Sequence, residues 1–551
     1  MHPGVFIRFI PRIVPFFFLL LILPASGAQT VPLSLLTGWN SIQQADIRSD
    51  LAYLTSRQME GRLALTRGDE RAIQWLANAF RQSGLQPANG NSYLQTFNVI
   101  EYIPDRKQSF VAMERAGRKV MWKKPDVYTD FNRDINLESG VVFAGYGITA
   151  PELKYDDYAG LDVKGKLVMV FEHEPQETNP ASIFNGLGNT PYATTRVKAL
   201  NAQKHGAIGI LIVPEPNRKH PSNQERYLRI GGSASRKLPL PSMTLENDEL
   251  QIPVAVLSDK AARIIAGPLS LSGLQSDIDR DLVPRSRVIA NTRISMQERV
   301  SSRRIAATSN VAALLEGTDP VLKSETIIVS AHHDHDGRSA GKIWHGADDN
   351  ASGTAGVLAL ARAFAVNDAA RTGMKPKRSI LFVIFAAEER GLLGSYYMAS
   401  HPLRPLETTR AMINFDMIGR DEQPSSQTKG LIAIPKDTRN RLNLIGAHFS
   451  PDYDRIVRQE NQVVGLVIDD RFDSENALNT FFRSDQFPFV LNDVPAFWWF
   501  TGFHPDYHHT SDTADKIDYP KMQKILRLAY LSAYQFANMS KPPKFIRHPH
   551  A

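Results

Sequence analysis

Five short clusters in the second half of the chain carry the residue types of a metal-assisted reaction. They are His332-His333-Asp334-His335, Gly346-Ala347-Asp348-Asp349-Asn350, Glu388-Glu389, Asp416, and Tyr507-His508-His509 with Asp512. The chain has no cysteine, so this is a nitrogen–oxygen donor set, suited to zinc and less specifically to manganese or cobalt. Two metals about 3.5–4 Å apart need a bridging carboxylate and terminal ligands on each side. His332 and Asp416 could complete one metal, Glu389 and a C-terminal histidine the other, with Asp349 between them. Side chains of adjacent residues in an extended segment point to opposite sides. In Glu388-Glu389 one carboxylate can therefore hold metal while the other faces substrate as a proton carrier. His332 and Asp334 are two apart and can share a side, where a carboxylate orients a metal-bound imidazole.

Each cluster alone has a plainer explanation. A histidine at a strand end is commonly structural, a Glu-Glu pair is a solvated surface, Asp348-Asp349 is a helix cap, and Tyr507-His508-His509 is a polar loop. Their common placement argues otherwise. Ile327–Ala331, Ser379–Ala386, Met412–Phe415 and Val494–Phe500 read as buried strands. Ser352–Ala365, Leu392–Ala399 and Lys521–Ala537 read as helices between and after them. Such alternation predicts an α/β fold with a mixed, largely parallel sheet flanked by helices. Ligands bind such sheets outside the carboxyl ends of the strands, and every one of the acidic and imidazole clusters falls there.

The remaining chain sets the context. With 42% hydrophobic and 22% charged residues among 551, composition is ordinary for globular protein and excludes a disordered, collagen-like or coiled-coil chain. A net charge of +7 without a long basic block gives no reason to expect nucleic acid. The lack of cysteine excludes disulfides, thiolate metal sites, thiol nucleophiles and a lipoprotein anchor. Residues 1–28 read as a secretory signal: Arg8 and Arg12, an apolar run Ile13–Leu23 too short to span a membrane, then Ser26-Gly27-Ala28. Removing those two arginines takes the net charge from +7 to +5. Export of a cysteine-free chain points to a bacterial periplasmic or secreted protein, with no membrane span after signal cleavage. Ile73, Leu76, Ala77 and Phe80 predict a helix stopping near Gly84. Residues 138–290 read as a β-rich block: a strand ending in a turn over 141–147, a turn then a strand over 164–171, a helix over 198–205 and strands at 208–213 and 253–257. The Arg-rich stretch 299–304 reads as a solvated linker.

The motifs "SAHHDH", "GADDNASG", "FAAEERGLLGS", "NFDMIG" and "YHHTSDT" resemble, in order, those of the co-catalytic di-zinc exopeptidases of the bacterial leucyl aminopeptidase and glutamate carboxypeptidase superfamily. The likeness is strong over about 310–520, and Glu60-Gly61-Arg62 with the following helix resembles that family's N-terminal segment. "FAGYGI", "YDDYAGLDVKGKLVMV" and "HGAIGILIV" are similar to an inserted protease-associated domain. The resemblance implies the zinc exopeptidase fold, with a signal peptide at 1–28, peptidase segments at 29–137 and 291–551, and the insert at 138–290.

It further implies two Zn2+ per chain and peptide substrates. His332 and Asp416 would ligate one zinc, Glu389 and His508 the other, and Asp349 would bridge them. His508 is chosen over His509 because the family places the ligand four residues before the Asp of Asp512-Thr513, and Asp349 over Asp348 because the bridge is the second acid. Glu388 resembles the general base acting on a metal-bridging water, Asp334 the carboxylate that orients His332, and Tyr507 a group that holds the tetrahedral intermediate. Where many relatives read Ser-Asp-His, this chain has Arg483-Ser484-Asp485-Gln486. The implied activity is removal of N-terminal residues from peptides. A carboxypeptidase or dipeptidase of the superfamily, a one-zinc glutaminyl cyclase and a non-catalytic scaffold are the alternatives. Trp498, Trp499, Phe500 and Phe503 could line a specificity pocket or belong to the core. Oligomeric state is not legible.

Overall fold

The computed structural model describes residues 1, 4, 30–230, 239–371 and 373–547. The expected signal segment therefore lies outside the described residues except for Met1 and Gly4. Among the described residues no helix is long and apolar enough to cross a membrane.

The four apolar runs after residue 325 become the strands Thr326–His332, Ser379–Phe385, Thr409–Phe415 and Ala496–Phe500. They pair in parallel, with Thr326–His332 between Ser379–Phe385 and Thr409–Phe415, and Ala496–Phe500 beside the last. Both faces of these strands are covered, as continuous Val/Ile/Phe runs demand. The helices Gln44–Leu54, Gly353–Ala369 and Tyr519–Asn538 bury Leu51, Leu358, Phe364 and Leu526 on one face. The helices Leu393–Ser400 and Phe487–Val490 bury Met398 and Phe489 with Phe385, Met412 and Trp498 on the other. A Cβ at Gly356 would stand 2.9 Å from a methyl carbon of Leu526, so the missing side chain lets the closing helix lie against Gly353–Ala369.

Antiparallel strands extend this sheet on both sides. Val300–Leu315 pairs with Ser379–Phe385, and Leu94–Pro104 and Ser242–Leu245 follow outward. On the far side Arg441–Ile445 runs antiparallel to Ala496–Phe500 and parallel to Val467–Asp469. The fold is thus a mixed α/β sheet with flanking helices.

A second sheet is built around the parallel strands Ile135–Phe143, Leu167–Phe171, Gly209–Val213 and Val254–Leu257. It also takes Phe110–Arg115, Arg118–Trp122, Val127–Asp130 and Arg287–Glu298. The helices Thr195–Lys204, Asp259–Ala266 and Leu271–Asp281 accompany it. Ser258 and Ser270 cap the last two, accepting the amide N–H of Ala261 and Gly273. Two chain crossings bound the second sheet: Leu94–Pro104 leads into Phe110–Arg115, and Arg287–Glu298 leads back into Val300–Leu315; between them the chain returns once to the first sheet, at Ser242–Leu245. The arginine stretch expected as a linker lies in the second crossing. Arg303 and Arg304 pair across from Tyr102 and Glu101 in the exposed start of a strand, and Arg304 Nη2 lies 2.6 Å from Glu101 Oε2. An exposed strand carries the same charges as a loop, so composition alone does not separate them.

Candidate metal centre

The carboxyl ends of the four parallel strands deliver the site. His332 is the last residue of its strand, Asp416 follows Phe415, Glu388 and Glu389 follow the strand ending at Phe385, and Tyr507 and His508 lie in the loop beyond Phe500. Asp349 arrives from the segment before the helix Gly353–Ala369. Asn350 ties that segment to the neighbouring strand end. Its Nδ2 donates to the carbonyl of Phe415 (2.9 Å) and its Oδ1 accepts the N–H of Gly353 (2.9 Å). Asp512 accepts the N–H groups of Asp348 (3.0 Å) and Asp349 (3.2 Å). His508 adopts a left-handed backbone with φ 55°, uncommon outside glycine, and the Trp344 indole donates to its carbonyl (3.1 Å).

Asp349 is central to the arrangement. Its Oδ1 lies 3.5 Å from His332 Nε2, and its Oδ2 lies 3.3 Å from His508 Nε2. His332 Nε2 is also 3.6 Å from Asp416 Oδ1 and 3.7 Å from Glu388 Oε2. His508 Nε2 is 3.4 Å from Glu389 Oε2. These separations exceed good hydrogen bonds, and His332 Nε2 is buried without a hydrogen-bond partner. Ligands held tetrahedrally at 2.0–2.2 Å from zinc lie about 3.3–3.5 Å apart. His332, Asp349 and Asp416 form one group able to hold an ion; His335, Asp349 and Glu389, and Asp336, Glu389 and His508, form two overlapping ones beside it.

The charges make the same point. Burial, aided by Glu389 and Asp416, holds the Asp349 carboxyl well above its ordinary range, and burial with Asp485 and Asp416 does the same to Glu388. Glu389 is held down at about 2, where His508 and His335 outweigh its burial. His508 is pushed up to about 10, because Glu389 and Asp336 outweigh desolvation. Crowded buried carboxylates around imidazoles with open nitrogens fit a divalent cation, whose charge relieves their repulsion.

The adjacent residues separate clearly. Asp348 turns away, its carboxylate accepting the N–H of Gly419 (2.7 Å) and meeting His504 Nε2 (3.1 Å). The His509 ring lies against the carbonyl of Tyr507 (2.7 Å). Asp334 lies 3.7 Å from His332 Nδ1 through its carboxylate. It also accepts the N–H groups of Glu388 (2.9 Å) and Glu389 (3.2 Å), which positions that turn. Glu388, Glu389, Asp349, Asp416, Tyr507 and His508 line one cavity of about 300 Å³. Trp498 lines it too, while Trp499, Phe500 and Phe503 belong to the core.

Three residues of the site escaped sequence reasoning. Asp336 holds His508 Nδ1 at 2.9 Å and is itself held by Arg390 (2.9 Å), a role its alternation with Asp334 would have suggested. His335 Nδ1 lies 2.8 Å from Glu389 Oε1. Arg62, fully buried, donates to the carbonyls of Leu54, His333, His345 and Gly346 at 2.6–3.0 Å, clamping the two loops that carry His332 and Asp349.

A second histidine–carboxylate cluster lies in the insert. His173 Nδ1 and Glu215 Oε1 are 2.8 Å apart, as are His220 Nε2 and Glu177 Oε2. Arg226 Nη2 donates to His173 Nε2 (3.1 Å), so Nδ1 carries the proton that Glu215 accepts.

Residues 310–533 match the sequence profile of peptidase family M28, and residues 137–265 that of the PA domain. The chain thus carries a peptidase family M28 segment and, ahead of it, a PA-domain segment. The leucine aminopeptidase 2 of Trichophyton rubrum is 28% identical over 245 residues, covering 43% of this chain and 44% of that protein. A probable zinc metalloprotease of Pyrenophora tritici-repentis is 42% identical over 83 residues, 15% of this chain and 18% of that one. The chain thus spans less than half the length of these curated relatives. The aminopeptidase from Aneurinibacillus sp. strain AM-1 superposes over 93% of this chain and 97% of its own, with TM-score 0.50 and 17% identity, a likeness of fold. All five M28 motifs lie inside the matched segment.

Proposed function

We propose that this chain is an exported, zinc-dependent aminopeptidase that removes N-terminal residues from peptides. The observation that carries the proposal is Asp349, whose two oxygens face His332 on one side and His508 on the other. His332 and Asp416 would hold one Zn2+, Glu389 and His508 a second, with Asp349 shared. When bound, zinc supplies Lewis acidity, acidifying water and polarising a carbonyl.

The chain's own residues do the rest. Glu388 lines the cavity 3.7 Å from His332 Nε2. It takes the proton of the attacking water as the C–O bond forms and returns it to the leaving amine as the C–N bond then breaks. A carboxyl raised by burial, as Glu388 is, suits both halves of that task. Asp334 fixes the Glu388-Glu389 turn through its two amide bonds, and Asp336 orients His508. Tyr507 faces the cavity, where its hydroxyl can steady the oxyanion. The PA domain roofs the cleft and limits substrate size. The names of the curated relatives support the aminopeptidase reading, and the signal pattern at 1–28 supports export.

A panel of aminoacyl-p-nitroanilides, with the same compounds N-acetylated, tests the reading on the purified zinc-supplemented protein. Hydrolysis of the free-amine set alone, abolished by a chelator, is expected. Hydrolysis of neither set by metal-loaded protein contradicts it.

A further inference from the structure

The cavity of the metal centre does not end at Tyr507. Gly391, Leu392, Phe482 and Arg483 line it and also line a second cavity of about 420 Å³. That second chamber lies at the seam of the two domains. Thr194, Thr195, Arg196 and Asn223 come from the PA side, and Asn479 and Phe487 from the peptidase side. Its size is that of a small-ligand site.

Arg483 stands on the partition between the chambers. It opens the segment Arg483-Ser484-Asp485-Gln486, which departs from the superfamily pattern. The side chains there are held from below: Asn414 Nδ2 donates to Ser484 Oγ (2.9 Å) and Gln486 Oε1 (3.3 Å), and residues 484–486 are fully buried. The Arg483 guanidinium is left facing the cleft. It donates to Gln427 Oε1 (3.1 Å) and, at a long 3.4 Å, to Tyr507 Oη, and it lies 5.1 Å from the Phe503 ring centre. Among the described residues no carboxylate lies within ion-pair distance of it. Two of its cationic neighbours are matched, Arg196 by Asp248 (2.7 Å) and Arg390 by Asp336 (2.9 Å). Arg226, which also lines the second chamber, has neutral acceptors too, but all three of its guanidinium nitrogens are engaged, with Ala477, Asn223 and His173. A half-buried guanidinium with only neutral acceptors is a ready partner for a carboxylate, which it takes through charge-assisted, often bidentate hydrogen bonds.

We infer that the second chamber receives the leaving portion of the substrate, and that Arg483 pairs with a carboxylate on it. The inference rests on the aminopeptidase reading. It names the substrate class as short peptides with an anionic group soon after the scissile bond, either the C-terminal carboxylate of a di- or tripeptide or an acidic side chain. Arg483 is then a specificity-determining residue, and the PA domain supplies the other wall of the subsite.

Calorimetry on the zinc-loaded Glu388→Gln full chain reads binding apart from turnover. Leu-Gly-Gly against its C-terminal amide isolates the terminal carboxylate; Leu-Gly-Glu-amide against Leu-Gly-Gln-amide isolates the side chain. At least one anionic member is expected to bind about tenfold more tightly than its neutral partner, the pair affected naming the source of the carboxylate. Adding Arg483→Gln is expected to bring that ratio within about twofold. Equal affinities in both pairs, or a ratio that survives Arg483→Gln, overturns the inference. If Arg483→Gln does not fold, the Glu388→Gln chain still decides, because its preference must shrink as salt is raised. Leucine release by the parent from the same peptides reports separately: its absence counts against the aminopeptidase reading and leaves the binding ratio standing.

Discussion

Among the described residues, histidine–carboxylate clusters in both the M28 and the PA segments are close enough to hold an ion, but their contacts differ. In the PA domain His173 and Glu215, and His220 and Glu177, close to 2.8 Å, so each imidazole proton already has its acceptor. In the M28 domain His332 Nε2 and His508 Nε2 stand 3.3–3.7 Å from their carboxylates, too far for good hydrogen bonds and near the edge length of a zinc tetrahedron. Both clusters combine the same residue types, and both are largely buried. The difference lies in what surrounds each cluster. In the M28 domain Arg62, Asn350 and Asp512 brace the loops from outside, so the ligands cannot collapse onto one another. In the PA domain the second nitrogen of each imidazole is also met, His173 Nε2 by Arg226 and His220 Nδ1 by the Pro221 carbonyl, so the cluster is a closed hydrogen-bond network.

This contrast can be broken or sharpened by experiment. The largest effect is expected from Glu388→Gln, which should lower kcat on a leucyl-p-nitroanilide by about 10²–10⁴-fold while zinc content stays at the parental value. Glu215→Gln, the matching change in the PA cluster, should leave kcat within about twofold. Next, Asp349→Ala removes the shared ligand and should cut bound zinc, measured by elemental analysis, from two per chain to below one; His173→Gln should leave it at two. Retention of both zincs in Asp349→Ala would remove Asp349 from the bridging role. Chelation should come third. At free zinc about a thousandfold above its Kd, each site contributes about 4 kcal/mol to stability, so a chelator should lower the melting temperature of the parent more than that of Asp349→Ala. An equal drop in both would contradict the assignment.

The smallest effect concerns the PA cluster and has the opposite chemical origin. Desolvation disfavours the His220 cation, but Glu177 and Glu215 outweigh it and push His220 up to about 9. An unfolded histidine titrates near 6.5. The native state therefore holds the extra proton between those values, and this contribution, on the order of 3 kcal/mol, is complete below about pH 6.5 and lost as pH rises through 9. Thermal unfolding of the parent should weaken over that window, and His220→Gln should flatten this part of the slope. An unchanged slope would mean that His220 is not protonated in the fold.

The same contrast shows what the sequence makes legible. The four central strands were visible because burial on both faces forces continuous apolar runs such as Ile327–Ala331 and Ser379–Phe385, and the ligands follow directly from their ends. The antiparallel wing was not. Val300–Leu315 begins with exposed arginines that resemble a linker until Leu94–Pro104 is seen pairing with it from 200 residues away. The PA sheet recruits Phe110–Arg115 and Val127–Asp130 through pairings of the same long-range kind. Arg62 was noticed only as part of a motif, since its acceptors include Gly346, 284 positions along the chain. Residues that act locally leave a pattern in the sequence, whereas braces that act across the fold leave a lone charge.

The most direct test is a crystal of the zinc-loaded chain with an anomalous difference map at the zinc edge. Two peaks are predicted about 3.5–4 Å apart, one beside His332 and Asp416, one beside Glu389 and His508, with Asp349 touching both and no peak between His173 and His220. A single peak at the M28 site, or zinc in the PA cluster, would contradict the account.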